Sequence, residues 1–328
     1  MKYRNFSDTG WKVSEIGLGC WQIGWCWGDV TDETAEDLLK KAVDKGINFF
    51  DTSDMYGDGR SEKFLSKLIK SNKDRIYITT KLGRRTKGTT YEKGYKHQHI
   101  EEFVDRSLIN LGIDCIDLLQ LHCPPKNVCS DPNTYDVLDQ LVNKGKILHY
   151  GVSVHNLEDA FAAIKFPNVK SIQLVFNIFR QKPIDQFFQE AKKNKVAIIA
   201  RGPLASGLLT GNIDENTVFP ENDHRNYNID GSAFDVGDTF SGVSLSKGIM
   251  AVKEIQKIIS NEKYQMSQFA LKWILSFEEV TVAIPGAINS QQVIMNSLAS
   301  NLDDINHFKN RIRKIYEKYI MQDVHNKW

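Results

Sequence analysis

Eight short runs of apolar and β-branched residues, separated by amphipathic helical stretches, restrict what this chain can fold into more than any other feature. The runs fall near 16–20, 47–50, 76–80, 115–121, 147–153, 171–175, 196–200 and 280–284. Ile76-Tyr77-Ile78-Thr79-Thr80 and Val196-Ala197-Ile198-Ile199-Ala200 are almost continuous, as parallel strands buried on both faces require. Between the runs, helical stripes recur: Leu38, Leu39, Ala42 and Val43, then Ile100, Phe103, Val104, Leu108 and Leu111. Thr31 before Asp32-Glu33 reads as a helix start, and Lys45-Gly46, Leu111-Gly112 and Lys144-Gly145 read as helix ends. Such alternation predicts an α/β fold, a closed (β/α)8 TIM barrel. An N-terminal hairpin, a long loop after the seventh strand and a C-terminal helix over 303–319 are its expected additions. An open dinucleotide-binding sheet fits less well: Gly17-Leu18-Gly19 begins its glycine turn, but no helix follows directly.

The remaining composition narrows the class. The chain has 328 residues, with 42 basic and 41 acidic side chains and a formal charge of +1. That balance argues against a nucleic-acid partner gripped by phosphate contacts. No stretch approaches the roughly 18–20 apolar residues of a membrane span, and the first residues lack the apolar core of a signal peptide. Five cysteines, at 20, 26, 115, 123 and 129, are odd in number and too few for a disulfide scaffold. The expectation is one cytoplasmic domain over residues 1–328 acting on a small molecule, with the oligomeric state left open.

In barrels of this kind the reactive side chains stand at the C-terminal ends of the strands. Asp51, Lys81 and His122 each follow a strand run there, and Tyr56 lies in the loop Asp51-Thr52-Ser53-Asp54-Met55-Tyr56-Gly57. Singly, each has a plain structural role; four converging on one face do not. Residues 211–243, rich in Asn, Asp and Gly and without periodicity, follow the seventh strand and are expected to form a lid or substrate loop. His97-x-His99 has metal-pair spacing but reads as a polar surface loop, and no metal is expected.

On these motifs the chain resembles the aldo-keto reductase superfamily. The resemblance rests on residues 46–57, on Ile78-Thr79-Thr80-Lys81-Leu82-Gly83 and on Asp117-Leu118-Leu119-Gln120-Leu121-His122. Pro203-Leu204-Ala205-Ser206-Gly207-Leu208-Leu209-Thr210-Gly211 and Ile284-Pro285-Gly286-Ala287 extend it over nearly the whole chain. It implies nicotinamide-dependent reduction of an aldehyde or ketone, with Asp51, Tyr56, Lys81 and His122 as the catalytic positions. Elementary chemistry agrees. A phenol of pKa about 10 is a weak acid, an adjacent ammonium lowers that value, and a carboxylate holds the ammonium in place. Tyr56 is thus the expected proton donor, Lys81 its tuner, Asp51 the partner of Lys81, and His122 the group orienting the carbonyl oxygen. The runner-up is a cofactor-binding regulatory or channel-associated barrel subunit with little turnover.

The resemblance also implies a cofactor site: Gly19, Cys20, Trp21, Asp51, Ser153, Gln173, Arg201, Gly202, Pro203, Leu204, Ser206, Gly207, Leu208, Pro285, Gly286, Ala287, Asn289, Gln292 and Asn296. Trp21, Trp25 and Trp27, with Tyr56 and His122, are the expected substrate wall. The chain departs from the family pattern in four places. Val154 stands for an Asn, Arg201 for an aromatic that stacks on the nicotinamide, and Gly286 and Gln292 for basic residues. NADPH is the expected cofactor with NADH possible, since the usual grip on the 2′-phosphate is weakened.

Overall fold

The computed structural model describes residues 1–24, 30–84, 93–262 and 264–328. Trp25 and Trp27 of the expected substrate wall lie outside the described residues.

All eight predicted runs form parallel strands of one sheet, arranged in chain order. After an antiparallel hairpin of β1 (Tyr3–Phe6) and β2 (Trp11–Ser14) come β3 (Leu18–Gly19), β4 (Phe49–Asp51), β5 (Tyr77–Leu82) and β6 (Ile116–His122). They continue with β7 (Ile147–Ser153), β8 (Val169–Val175), β9 (Ala197–Arg201) and β10 (Val280–Ala283). Parallel bridges Ile16–Ala283 and Gly19–Gly286 join the first barrel strand to the last and close the ring. Closure needs glycine at position 17, because a Cβ there would lie 2.9 Å from the Phe49 carbonyl oxygen.

The hairpin decides which end of the barrel is open. Phe6, Trp11 and Val13 cluster with the inward-facing Phe49, Leu118, Ile199 and Val282, and the Phe6 and Phe49 rings stack 5.6 Å apart. These residues plug the N-terminal mouth. The C-terminal mouth is left for chemistry.

The local signals at helix ends are met by backbone geometry. The Thr31 hydroxyl accepts from Thr34 N at 3.2 Å and caps the helix Asp32–Asp44. Gly112, next to the helix His97–Leu111, takes a φ of +64° that a side chain would resist. His97 and His99 occupy the first turn of that helix, which corrects their reading as a loop. The C-terminal helix is shorter than expected, Lys309–Tyr319, because 306–308 forms a separate single turn.

The aperiodic interval after β9 is folded through side chains. His224 in the short helix His224–Tyr227 lies buried, with Nδ1 3.1 Å from Thr239 Oγ1, and Asn228 donates to the same oxygen at 2.9 Å. Asn228 Oδ1 in turn accepts from the backbone N–H groups of Ala233 and Phe234, at 3.0 and 2.8 Å. Asn and Asp supply the hydrogen bonds that a ladder would otherwise give.

Candidate active site

Strand register brings the expected catalytic residues into one layer at the C-terminal mouth. Asp51 pairs with Gly19 and with Thr79, Lys81 with Gln120, and His122 with Ser153. Lys81 is 1 % exposed, so its charge must be answered within the protein. Its Nζ donates to Asp51 Oδ1 at 2.6 Å, to the Thr52 carbonyl at 2.8 Å and to the Tyr56 hydroxyl at 3.3 Å. Asp51 Oδ2 accepts from Gln173 Nε2 at 2.7 Å and from Gln120 Nε2 at 3.3 Å. A carboxylate, an ammonium and a phenol are therefore joined in a continuous chain of hydrogen bonds.

The electrostatics follow from burial and from these partners. Burial is the largest influence and works against the Lys81 charge, yet Asp51 and Tyr56 together outweigh it and hold the ammonium above its ordinary range. For Tyr56 the balance falls differently from the expectation. Loss of solvent around a phenolate raises the value; Lys81 opposes this in the expected sense, and the shift stays upward. The phenol is thus the stable form throughout the neutral range, and a neutral phenol is the form that can give a proton. Burial, followed by the charges of Arg84, Lys81 and Arg201, keeps His122 well below its ordinary value, hence neutral. Its Nδ1 lies 3.2 Å from Ser53 Oγ, and its ring meets the Tyr56 ring edge-on at 6.0 Å.

The described wall of the mouth is aromatic. Trp21 packs near Tyr56, His224 and Phe234, with ring centroids 6.4, 4.9 and 6.2 Å away. The loop after β9 thereby reaches the site through His224 and Phe234. Gly24 lets the Trp21–Gly24 turn approach the Tyr56 loop: a Cβ would fall 2.7 Å from Tyr56 Cβ.

The residues expected to hold a cofactor occupy the opposite arc of the rim, from β7 round to β3. Ser153 ends β7, and its register partner Gln173 lies two residues before the end of the adjacent β8. Residues 202–208 turn sharply after β9, with left-handed φ at Ala205, Ser206 and Gly207. Ser206 Oγ accepts from Phe240 N at 3.0 Å and ties this turn to the long loop. Pro285, Gly286 and Ala287 follow β10. Asn289 caps the helix Ser290–Leu298, accepting from Gln292 N at 2.9 Å, and buried Asn296 donates to the Gly286 carbonyl at 3.4 Å. Gln292 is exposed, and its Oε1 accepts from Ile288 N at 2.9 Å, so its carboxamide completes a helix cap. Arg201, the departure after β9, is an ion-pair member: its Nη1 binds Asp238 Oδ1 and its Nη2 donates to the Val154 carbonyl at 3.2 Å.

Two observations test whether a dinucleotide suits this arc. Gln22 Oε1 is buried and has no hydrogen-bond partner among the described residues. The Gln22 carboxamide lies so close to Gly286 that a Cβ there would come within 2.2 Å of it. An unsatisfied buried acceptor on this arc matches a ligand carrying its own hydroxyl and amide donors.

Sequence reasoning missed Ser53, Gln120 and Asp238. Gln120 was readable, since Gln120 and His122 alternate onto the same face of one strand. Asp238 lies in an aperiodic segment that gave no signal.

A model of the Aldo/keto reductase family matches residues 15–317. The aldo-keto reductase YhdN of Bacillus subtilis (strain 168) is 32% identical over 294 residues, covering 88% of this chain and 85% of that protein. The NADP(+) aldo-keto reductase yakc of Schizosaccharomyces pombe is 28% identical over 286 residues, covering 84% of this chain and 80% of its own length. Among solved structures, the glycerol dehydrogenase AKR11B4 from Gluconobacter oxydans superposes with a TM-score of 0.78 at 25% identity, covering 100% of this chain and 97% of that one.

Proposed function

The chain belongs to the aldo/keto reductase family, and from that premise we propose how its own residues serve the reduction of an aldehyde or ketone to an alcohol. The reading carried furthest is Tyr56 as proton donor, and the single observation behind it is the 3.3 Å contact between Lys81 Nζ and the Tyr56 hydroxyl. When bound, NADPH supplies the hydride, which no side chain can. Gly19, Cys20, Trp21, Ser153, Gln173 and the segments 202–208 and 285–296 are our assignment for holding it. That assignment is supported by the rim arc they form and by the unsatisfied Gln22 Oε1 beside Gly286.

The residues divide the remaining work. Asp51 fixes Lys81, and Gln120 and Gln173 fix Asp51 from the other side. Lys81 donates to the phenol oxygen and stabilises the negative charge left there as the proton departs. Neutral His122, held through Nδ1 by Ser53 Oγ, orients the carbonyl oxygen. Trp21 and the loop after β9 exclude water from the mouth.

A small-molecule carbonyl is the partner we assign. No helix among the described residues is long and apolar enough to cross a membrane. We read residues 1–328 as one domain, supported by the single closed sheet, and place it in the cytoplasm on its cysteine count. The regulatory-subunit reading is not favoured by relatives named as reductases and dehydrogenases. Loss of nicotinamide absorbance with a panel of aldehydes and ketones is the direct test. Cofactor binding without turnover across the panel would reverse the choice.

A further inference from the structure

Beside the proposed proton-transfer chain lies a second set of reactive groups that it does not use. Cys123 follows His122 at the end of β6 and adopts a left-handed φ of +51°, a conformation that costs a non-glycine residue energy. That turn aims its side chain across the mouth. The Sγ lies 3.5 Å from Ser153 Oγ and 3.8 Å from Arg201 Nη2. Behind these, His155 Nδ1 is 3.4 Å from the same Arg201 nitrogen and 3.9 Å from Asp235 Oδ2. Two of the four departures from the family pattern, Val154 and Arg201, meet here, the Arg201 guanidinium donating to the Val154 carbonyl.

The charges in this cluster act together. Burial alone would raise the Cys123 thiol, but the His155 imidazole with the Arg201 and Arg84 guanidinium groups outweighs it and brings it down to about 6. His155 moves reciprocally: burial disfavours its charge, and the facing sulfur more than restores it. Asp238 answers the Arg201 charge from the far side. The other described cysteines go the opposite way, burial pushing the thiols of Cys20, Cys115 and Cys129 up. A thiol flanked by an imidazolium and a guanidinium is the arrangement that activates sulfur as its thiolate.

We propose that Cys123 is a covalent modification site: a thiolate paired with His155 and Arg201 that adds to small α,β-unsaturated carbonyl compounds entering from the barrel mouth. The sulfur lone pair forms an S–C bond at the β-carbon and the C=C π bond breaks. The electron pair passes to the carbonyl as an enolate, which takes a proton from water at the α-carbon. Nothing is oxidised or reduced. At 3 % exposure Cys123 admits only small electrophiles. The modified sulfur loses its negative charge, so Arg201 and His155 lose a partner, and Ser153 is crowded. If the carbonyl-reductase reading above is right, adduct formation also stops turnover; the addition itself is measured without that reading.

The test uses acrylamide, an α,β-unsaturated amide with no aldehyde or ketone to reduce, on the intact protein, with peptide mass mapping to count adducts at each cysteine. Expected is labelling at Cys123 ahead of Cys20, Cys115 and Cys129, with a rate half-maximal near pH 6 in the wild type. His155→Gln should move that midpoint towards the free-thiol value of about 8.5, and Cys123→Ser should abolish the adduct. Two wild-type results overturn the proposal without any variant: no Cys123 adduct in the folded protein while denatured protein labels there, or a midpoint above pH 8. Turnover measured on the same samples is a separate readout. Labelling without any reductase activity would keep this site and refute the function; activity without labelling would do the reverse.

Discussion

Replacing Lys81 by Met removes the cation at the centre of the hydrogen-bond chain and keeps most of its volume. The consequence follows from burial. Lys81 and Asp51 are 1 % and 3 % exposed, and their contact is 2.6 Å. Removing one member of a buried pair leaves the other charge uncompensated, at a cost of about 3–5 kcal/mol. Gln173 and Gln120 still donate to Asp51 Oδ2, which places the loss towards the lower end. At about 2–3 °C per kcal/mol for a chain of this size, Tm should fall by roughly 6–15 °C. Asp51→Asn alone should also destabilise, since it strands the ammonium between the Thr52 carbonyl and the phenol. The double variant Asp51→Asn/Lys81→Met carries no buried charge here and should regain most of the single-variant loss. Equilibrium denaturation of all four proteins closes the cycle. Strictly additive losses would refute the argument, because they would mean that the two charges do not support each other.

The other expectations are narrower. Tyr56→Phe keeps the ring and removes the proton, so turnover should fall about 10²–10⁴-fold with cofactor affinity by fluorescence titration nearly unchanged; retention of more than about a third of turnover with chemistry rate-limiting would exclude Tyr56 as the acid. Because burial holds the Tyr56 pKa above its ordinary value, reduction should persist through neutral pH and fall only as pH rises past that value, and in any residual activity of Lys81→Met the falling limb should sit at higher pH still. Burial is the largest influence and raises the Asp238 carboxyl, but Arg201, His155 and Arg84 together outweigh it and leave it below its ordinary range. Its contribution is therefore complete above the unfolded carboxylate pKa and disappears as pH falls through the folded one. Asp238→Asn should lower stability at neutral pH and flatten the acid limb, and an unchanged acid limb would detach Arg201 from it. NADPH preference over NADH should stay below about a thousandfold, some 4 kcal/mol in kcat/KM. Gln292→Arg should raise it even while giving up the cap on Ile288 N; an unmoved ratio would mean that position 292 does not face the 2′-phosphate.

What the sequence determined by itself is what adjacent residues encode. Eight runs of strand periodicity, Thr31 at a helix start and Gly112 at a helix end are written in windows of a few residues, and all stand in the structure. The positions of Asp51, Lys81 and His122 were legible for the same reason, being the polar residues at the ends of such runs. What side chains do to one another was decided only by closing the barrel. Gln173 meets Asp51 across 122 positions and Gln120 across 69, and those contacts exist because strand register sets them side by side. Arg201 was counted among the cofactor residues at a place where relatives carry a stacking aromatic, and its charge is met by Asp238 from a segment with no periodicity. The Tyr56 shift reversed for a related reason. The ammonium was visible in the sequence, but the loss of solvent that outweighs it comes from the packing of Trp21, Lys81 and His122 around the ring. Cys123 shows the limit most clearly. In sequence it is one of five cysteines with no motif, and its neighbours Ser153, His155 and Arg201 arrive from two other strand ends. Periodicity is local and survives in one dimension; burial and charge pairing are properties of neighbours in space, which only the closed sheet supplies.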